Sequence, residues 1–143
     1  MFLLDTDALS ESSKRRPDFR VSEWMRGQQP GAMFISVLTL GEVQQGVAHR
    51  SPGPERDRLA TWLEAVLSRF ADQVLDFDRE AALIWGELSG RAMRAGKTVP
   101  VVDSQIAATA LRHGLTVATG NVTHFVACGV PVLNPWEPEP GAD

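Results

Sequence analysis

Short apolar segments alternate with longer amphipathic segments along the whole of this chain. The longer segments carry apolar residues every three or four positions, as amphipathic helices do. The short segments suit buried strands: residues 2–4, 33–35, 74–75, 115–119 and 130–133. Strands that alternate with helices in this way are typical of a domain built on a parallel sheet. The chain is therefore predicted to have an α/β fold with a central parallel sheet of four to five strands.

Capping and breaking residues mark the ends of the predicted helices. Ser36 and Asp78 are favoured helix N-caps, while Pro100 suits the start and Gly114 the end of a further helix. Pro131 lies within the last predicted strand, and because proline lacks a backbone donor this strand is expected at an edge of the sheet. Helices are expected near Thr6, over 18–28, after Ser36, over 59–70, after Asp78 and from Pro100 to Gly114.

Length and composition fit one globular domain. The chain has 143 residues, of which 43% are hydrophobic and 22% charged. We expect a single domain over residues 1–136 and a disordered tail over 137–143, which is rich in Pro and Glu. Cys128 is the only cysteine, which excludes an internal disulfide and suits the reducing cytoplasm. No apolar run approaches the ~18–20 residues of a membrane span, and the first residues do not resemble a signal peptide, so no membrane is expected.

The charge balance gives a mixed indication. A net charge of −4 argues against a broad surface for binding phosphates. Basic residues nevertheless cluster in two stretches, residues 14–26 and 91–97. These stretches are either solvated helix faces, which is the more common case, or local basic rims around an acidic centre.

Asp5 directly follows the first predicted strand. In open parallel sheets, ligands bind beyond the carboxyl ends of the strands, so an acid at this point is well placed to serve a site. Aspartate is also a favoured N-cap, and Asp5 precedes a helix expected near Thr6. Position alone leaves both interpretations open.

Asp103 lies on the inward face of a predicted helix. It precedes the apolar residues Ile106, Ala107, Ala110 and Leu111 by three, four, seven and eight positions, which places all of them on one face. An ionised carboxylate that faces a core is costly unless it is paired or bound to a metal. An acid in the first turn also complements the helix dipole. That alternative explains the position along the helix but not the inward face, so a ligand role is favoured.

Two further oxygen donors are less clearly marked. Glu42 lies off the apolar stripe of its predicted helix, which is formed by Leu40, Val43 and Val47, and by itself suits solvent. Asn121 follows the strand at 115–119 and by itself suits a turn. Glu42 could instead face the groove at the end of the sheet, and Asn121 lies where the chain emerges on the same edge of the sheet as Asp5.

Together these side chains would form a cluster of oxygen donors: Asp5, Glu42, Asp103 and Asn121. Such a cluster suits a hard cation, Mg²⁺ or Mn²⁺. The single cysteine and the spacing of the three histidines do not suit zinc. A hard cation with open water positions neutralises phosphate charge, generates hydroxide and stabilises a leaving oxygen. The pattern therefore favours hydrolysis of a phosphodiester, and the lack of a Gly-rich phosphate loop argues against a nucleoside-triphosphate enzyme.

Several blocks of sequence resemble those of one known family. The segments are residues 3–11, 36–42, 102–110, 115–122 with Phe125, and 130–136. In this order and at these spacings they resemble PIN-domain toxins of the VapC and FitB type. The blocks span nearly the whole chain, so the resemblance is more specific than any single block.

The resemblance implies a three-layer α/β/α PIN fold and a function. Such a protein would be the toxin of a type II toxin–antitoxin pair, an endoribonuclease that uses Mg²⁺ or Mn²⁺. It would bind an RNA substrate and a cognate antitoxin, reach DNA only through that antitoxin, and form homodimers. Asp5, Glu42 and Asp103 match the family's catalytic acids, with Asp5 and Asp103 as the metal ligands. Thr6, Thr119 and Asn121 are implied as supporting residues that orient the site.

The chain departs from the family pattern at four positions. Asn121 stands where some relatives carry Asp, which removes a charge. Gly120 replaces a common arginine, and His124 stands where Asp or another polar residue is frequent. Asp7 replaces a common asparagine and adds a negative charge beside Asp5. We expect Asp7 to offset part of the charge that Asn121 lacks.

Two other functions fit parts of the sequence. Asp5 and Asp7 form the D-x-D arrangement of phosphatases with an aspartyl nucleophile, but the acidic pair that such enzymes need later in the chain is missing. Alternatively, the altered fourth position belongs to a catalytically weak PIN module that acts on DNA in complex with its antitoxin. Metal-dependent RNA cleavage that requires Asp5 and Asp103 distinguishes the nuclease from both.

Overall fold

A computed structural model of the chain describes residues 1–137, and five parallel strands form its central sheet. The order across the sheet is β3 (residues 74–75), β2 (33–36), β1 (2–4), β4 (116–118) and β5 (132–133). The order reverses between β1 and β4, which pair in parallel with Leu4 opposite Ala118. Such a reversal opens a crevice at the carboxyl ends of the two strands. The strands are β1 (Phe2–Leu4), β2 (Met33–Ser36), β3 (Val74–Leu75), β4 (Thr116–Ala118) and β5 (Val132–Leu133).

Helices cover both faces of the sheet. Leu3 and Val117 belong to one buried cluster together with Ile106 of α6 (Val101–His113). The neighbouring Leu4 packs in a second cluster with Val66 of α4 (Pro54–Arg69). Successive residues of a strand point to opposite faces, so the two clusters lie on either side of the sheet. The fold is a three-layer α/β/α sandwich, as predicted. The helices are α1 (Thr6–Glu11), α2 (Phe19–Arg26), α3 (Val37–His49), α4 (Pro54–Arg69), α5 (Arg79–Arg94), α6 (Val101–His113) and α7 (Val122–Val126).

The capping residues act where the sequence places them. The Ser36 hydroxyl accepts a hydrogen bond from the Leu38 N–H, and the Asp78 carboxylate accepts one from Ala81 N–H at 2.8 Å. Gly114 ends α6 with φ of 66°, a left-handed conformation that glycine adopts without a steric penalty. β5 lies at an edge of the sheet directly after Pro131, which confirms the prediction from that proline.

Three details differ from the sequence prediction. Leu111 is 38% exposed rather than buried, because α6 turns this position away from the sheet near its end. Thr39, and not Leu40, is fully buried on the inner face of α3. The five-residue helix α7 was not predicted, since it is too short to show a helical period.

The end of the chain and its relation to membranes need only brief mention. Of the predicted tail at 137–143, only Glu137 belongs to the described residues, and 138–143 lie outside them. Among residues 1–137 there is no helix with the length and apolar character that a membrane crossing requires.

Candidate active site

The crevice between β1 and β4 brings together residues that are far apart in the sequence. Asp5 follows β1 and Thr119 follows β4, and the parallel register of the two strands places them side by side. The Thr119 hydroxyl donates a hydrogen bond of 2.9 Å to Asp5 Oδ2. The position predicted for Asp5, at the carboxyl edge of the sheet, is therefore confirmed.

Asp5 caps α1 and also lies at the crevice. Its Oδ1 accepts the Thr6 N–H at 2.8 Å and so caps α1, while its Oδ2 faces Thr119. Asp5 is only 2% exposed. Burial and the negative charge of Asp7, with a further contribution from Asp103, raise the pKa of Asp5 to about 7 against the hydrogen bonds from Thr119 and Thr6. A carboxylate in a cleft whose pKa is raised by burial and by neighbouring acids is a candidate for a functional site.

Asp7 closes one side of the same crevice. Its Oδ2 accepts the Gly120 N–H at 2.9 Å and lies 3.4 Å from the Thr119 hydroxyl. Burial raises the pKa of Asp7 too. A Cβ atom at Gly120 would lie 3.1 Å from Asp7 Oδ2 and 3.2 Å from the ring of Trp136. Because Gly120 has no side chain, both Asp7 and Trp136 can lie close to its backbone.

Glu42, on α3, is linked to the crevice by Thr6, the first residue of α1. The Thr6 hydroxyl donates a hydrogen bond of 2.6 Å to Glu42 Oε1 and lies 3.2 Å from the hydroxyl of Thr39. Glu42 is half-buried. Taken alone, the position of Glu42 predicts a side chain in solvent. In the structure, the carboxylate is instead hydrogen-bonded to Thr6.

Asp103 completes the acidic side of the crevice from the first turn of α6. Its side chain is 18% exposed and its Oδ2 lies 2.7 Å from Nδ1 of His124 on α7. Its negative charge contributes to the raised pKa of Asp5, so the two carboxylates share one electrostatic environment. We refer to Asp5, Asp7, Glu42 and Asp103 as the acidic edge.

Asn121 is placed differently from the other predicted site residues. Its backbone N–H donates to the Thr119 hydroxyl at 2.9 Å, but its side chain makes no capping hydrogen bond and the residue is exposed. Hydrogen bonds join four of the predicted residues, Asp5, Thr6, Glu42 and Thr119. Asp103 is near enough for its charge to help raise the pKa of Asp5, whereas Asn121 contributes its backbone.

The donor chemistry of the acidic edge fits a hard cation. Within residues 1–137, no three His, Cys, Asp or Glu side chains stand close enough to enclose a metal ion by themselves. Magnesium is commonly held by only one or two carboxylates, with water filling its other positions, so a full protein cage is not required. The pKa of Asp5 is raised first by burial and then by the charge of Asp7, and a bound cation would relieve the repulsion between these two acids.

Two residues of the site, Thr39 and His124, are absent from the set predicted from the sequence. Thr39 precedes Glu42 by three positions and so shares its helix face, which is a usable signal. His124 gives no comparable signal, because its contact with Asp103 depends on the short helix α7.

Comparison with known proteins agrees with the geometry. Residues 2–125 match the model of the PIN domain family. The chain is 38% identical over 138 residues to plasmid stability protein StbB of Pseudomonas syringae, which covers 96% of this chain and 99% of that protein. It is 37% identical over 139 residues to VapC ribonuclease Y4jK of Sinorhizobium fredii, covering 96% and 99% of the two chains.

Toxin FitB of Neisseria gonorrhoeae is 37% identical over 137 residues, which is 95% of this chain and 99% of FitB. A solved structure of FitAB bound to an IR36 DNA fragment superposes with a TM-score of 0.92 at 35% identity and covers 99% of each chain. The sequence resemblance to the VapC and FitB type is thereby confirmed. The chain belongs to the PIN-domain family, in the group that contains the VapC ribonucleases and toxin FitB.

Proposed function

We propose that this protein is the ribonuclease toxin of a type II toxin–antitoxin pair and hydrolyses RNA phosphodiesters with the help of Mg²⁺ or Mn²⁺. The observation that carries the proposal is Asp5, a buried acid at the β1–β4 crevice whose pKa is raised to about 7 by burial and by Asp7, with a smaller contribution from Asp103. Relatives named VapC ribonuclease and toxin FitB share the fold over nearly the whole chain.

Asp5 and Asp103 would hold the cation. When bound, the cation would neutralise phosphate charge and activate water for in-line attack on the phosphodiester. Thr119 fixes Asp5 through its hydrogen bond to Oδ2, and His124 fixes Asp103 through the contact at Oδ2. Each carboxylate is thereby held in one orientation by a neighbouring side chain.

Glu42 would support the water or the cation. Its Oε1 is held by the Thr6 hydroxyl, which directs the carboxylate into the crevice. Thr6 also donates its backbone N–H to Asp5, so this one residue links the two acids. The arrangement makes the orientation of Glu42 depend on Asp5 capping α1.

The partners of the protein follow from its relatives. A cognate antitoxin would bind and inhibit it, and DNA would be reached only through that antitoxin. FitAB, which has a similar fold, has been solved bound to a DNA fragment. We expect the toxin to act as a homodimer in the cytoplasm. The acidic edge, with four carboxylates, would attract a basic side chain of the inhibiting antitoxin.

The decisive experiment is an RNA cleavage assay in Mn²⁺ and in EDTA. Wild type should cleave only with the metal. Asp5→Asn and Asp103→Asn should each lose at least about a thousandfold in rate while keeping a native circular dichroism spectrum. Asp78→Asn is the matched control and should remain active, because Asp78 is an exposed helix cap that lies beside Arg112, at the opposite end of α6 from Asp103. Cleavage without metal, or cleavage that survives both changes, would contradict the proposal.

A further inference from the structure

A cleft beside the acidic edge extends the site toward the loop between α5 and α6. The cleft has a volume of about 420 Å³, and its wall includes His124, the residue that contacts Asp103. Its size falls within the range of about 300–1,000 Å³ typical of sites for small molecules and cofactors. The lining residues are Lys97, Thr98, Thr123, His124, Val126 and Ala127.

The position of Lys97 is fixed by the way α5 ends. Gly96 adopts a left-handed φ of 73°, and its N–H donates to the Met93 carbonyl at 3.0 Å. The Lys97 N–H then donates to the Ala92 carbonyl at 2.8 Å. These are the two hydrogen bonds of a Schellman helix end, so the backbone of Lys97 is held at the mouth of the cleft.

The charge of the cleft is opposite to that of the crevice. The acidic edge carries four carboxylates, which repel any phosphate that is not neutralised by a cation. The cleft offers the Lys97 ammonium and two hydroxyls, on Thr98 and Thr123, while the described part of the cleft wall has no acidic residue. The cleft therefore offers the donors for a phosphate that the acidic edge lacks.

The remaining wall of the cleft suits the rest of a nucleotide. Val126 is 59% exposed, and Ala127 lies next to it in the lining. An exposed aliphatic surface beside cationic and hydroxyl donors fits a ribose and base with its phosphate.

We propose that this cleft binds the nucleotide of the RNA substrate next to the scissile phosphodiester. The phosphate of that nucleotide lies against Lys97 and Thr123, and its sugar and base pack on Val126. His124 separates this subsite from Asp103 and thereby sets the spacing between the held nucleotide and the reacting bond. The inference rests on the proposed ribonuclease function and adds to it the residues that hold the substrate.

The subsite is tested by RNA binding without cleavage. The probe is a fluorescein-labelled, single-stranded RNA of twelve nucleotides and mixed sequence, measured by anisotropy in the Asp5→Asn background between 50 and 200 mM KCl. Lys97→Ala should weaken binding about tenfold at low salt, and the slope of log K against log salt should fall by about 0.7. Thr123→Val, which keeps the shape and removes the hydroxyl, should weaken it about threefold.

Arg94→Ala is the matched control. Arg94 is the last residue of α5, three positions before Lys97, and the change removes one exposed positive charge that lies outside the cleft. Its affinity should change less than twofold and its salt slope should not change. Equal losses in Lys97→Ala and Arg94→Ala would overturn the subsite, since they would reflect overall charge alone.

Cleavage kinetics in Mn²⁺ separate the two proposals. The loss in Lys97→Ala should fall mainly on KM and exceed that in Arg94→Ala about fivefold. If wild type cleaves RNA but these two variants have the same KM, the subsite is wrong and the ribonuclease function stands. If wild type cleaves no RNA in Mn²⁺, the proposed function itself fails.

Discussion

Aspartates that cap helices occupy two contrasting settings in this molecule. Asp18 caps α2 and Asp78 caps α5 at the surface, and their pKa values are lowered, chiefly by a hydrogen bond from Arg20 in the first case and from the Ala81 N–H in the second. Asp5 caps α1 in the same way, yet its pKa is raised to about 7. The comparison teaches that hydrogen bonds from the backbone or from a neighbouring arginine stabilise the charged carboxylate of a surface cap, whereas burial beside other acids outweighs the hydrogen bonds to Asp5.

Thr119→Val is expected to show the largest effect at the buried setting. The Thr119 hydroxyl, fully buried, donates to Asp5 and accepts the Asn121 N–H. Valine keeps the shape but leaves both partners without their hydrogen bond, so kcat/KM for RNA should fall about 10- to 100-fold. The free energy of unfolding should fall by about 1–3 kcal/mol, measured by urea denaturation.

Thr109→Val provides the control for this change. Thr109 is equally buried, but its hydroxyl donates to the Gln105 carbonyl within α6. This variant should lose stability without a comparable loss of cleavage. Full activity in Thr119→Val would mean that Asp5 does not need its hydroxyl partner.

Asp7→Asn tests whether crowding of acids compensates for Asn121. Asparagine can still accept the Gly120 N–H through its carbonyl oxygen, so the change removes mainly the charge. The affinity for Mn²⁺, measured by calorimetry, should fall about tenfold. An unchanged affinity would exclude the idea that Asp7 supplies the charge that Asn121 lacks.

The raised pKa of Asp5 predicts how stability depends on pH without metal. Because the folded form holds its proton up to about pH 7 while the unfolded chain loses it near the usual value of 3.8, the folded state binds more protons between these values. Stability should therefore fall as pH rises through this window, by at most about 1.4 kcal/mol per pH unit from this group. Asp5→Asn should have a shallower slope in urea denaturation, and parallel curves would contradict the cause assigned to the shift.

Glu55→Gln tests the surface setting and should have the smallest effect. The pKa of Glu55 is lowered to about 2, first by the hydrogen bond from Arg58 and also by Arg15, but its side chain lies at the surface and is 43% exposed. Exposed ion pairs contribute little to stability. We expect unchanged RNA cleavage and a Tm within about 3 °C of wild type at pH 7 by calorimetry. A large loss of activity would show that this surface ion pair and the buried site around Asp5 are not independent.

The parts of this molecule that the sequence predicts are those that depend on local rules. Strand β1, the cap at Ser36 and the end of α6 at Gly114 each follow from a few neighbouring residues. The placement of Asp5 at the carboxyl edge also follows, because strand direction fixes it once the sheet is known to be parallel.

The parts that could not be predicted depend on contacts between distant residues. Glu42 is drawn into the crevice by Thr6, which lies 36 positions earlier in the chain. His124 meets Asp103 only because α7 packs against α6, and five residues show no helical period. The raised pKa of Asp5 likewise depends first on its burial and then on the distances to Asp7 and Asp103, which no spacing in the sequence supplies.

The central claim is that the acidic edge exists to hold a divalent cation. A titration with Mn²⁺ at pH 7.5, in which free Mn²⁺ is followed by electron paramagnetic resonance, tests it most directly. Wild type and Asp78→Asn should bind with the same affinity, and Asp5→Asn should bind at least about tenfold more weakly. Binding that is absent in wild type, or equally strong in Asp5→Asn, would contradict the account.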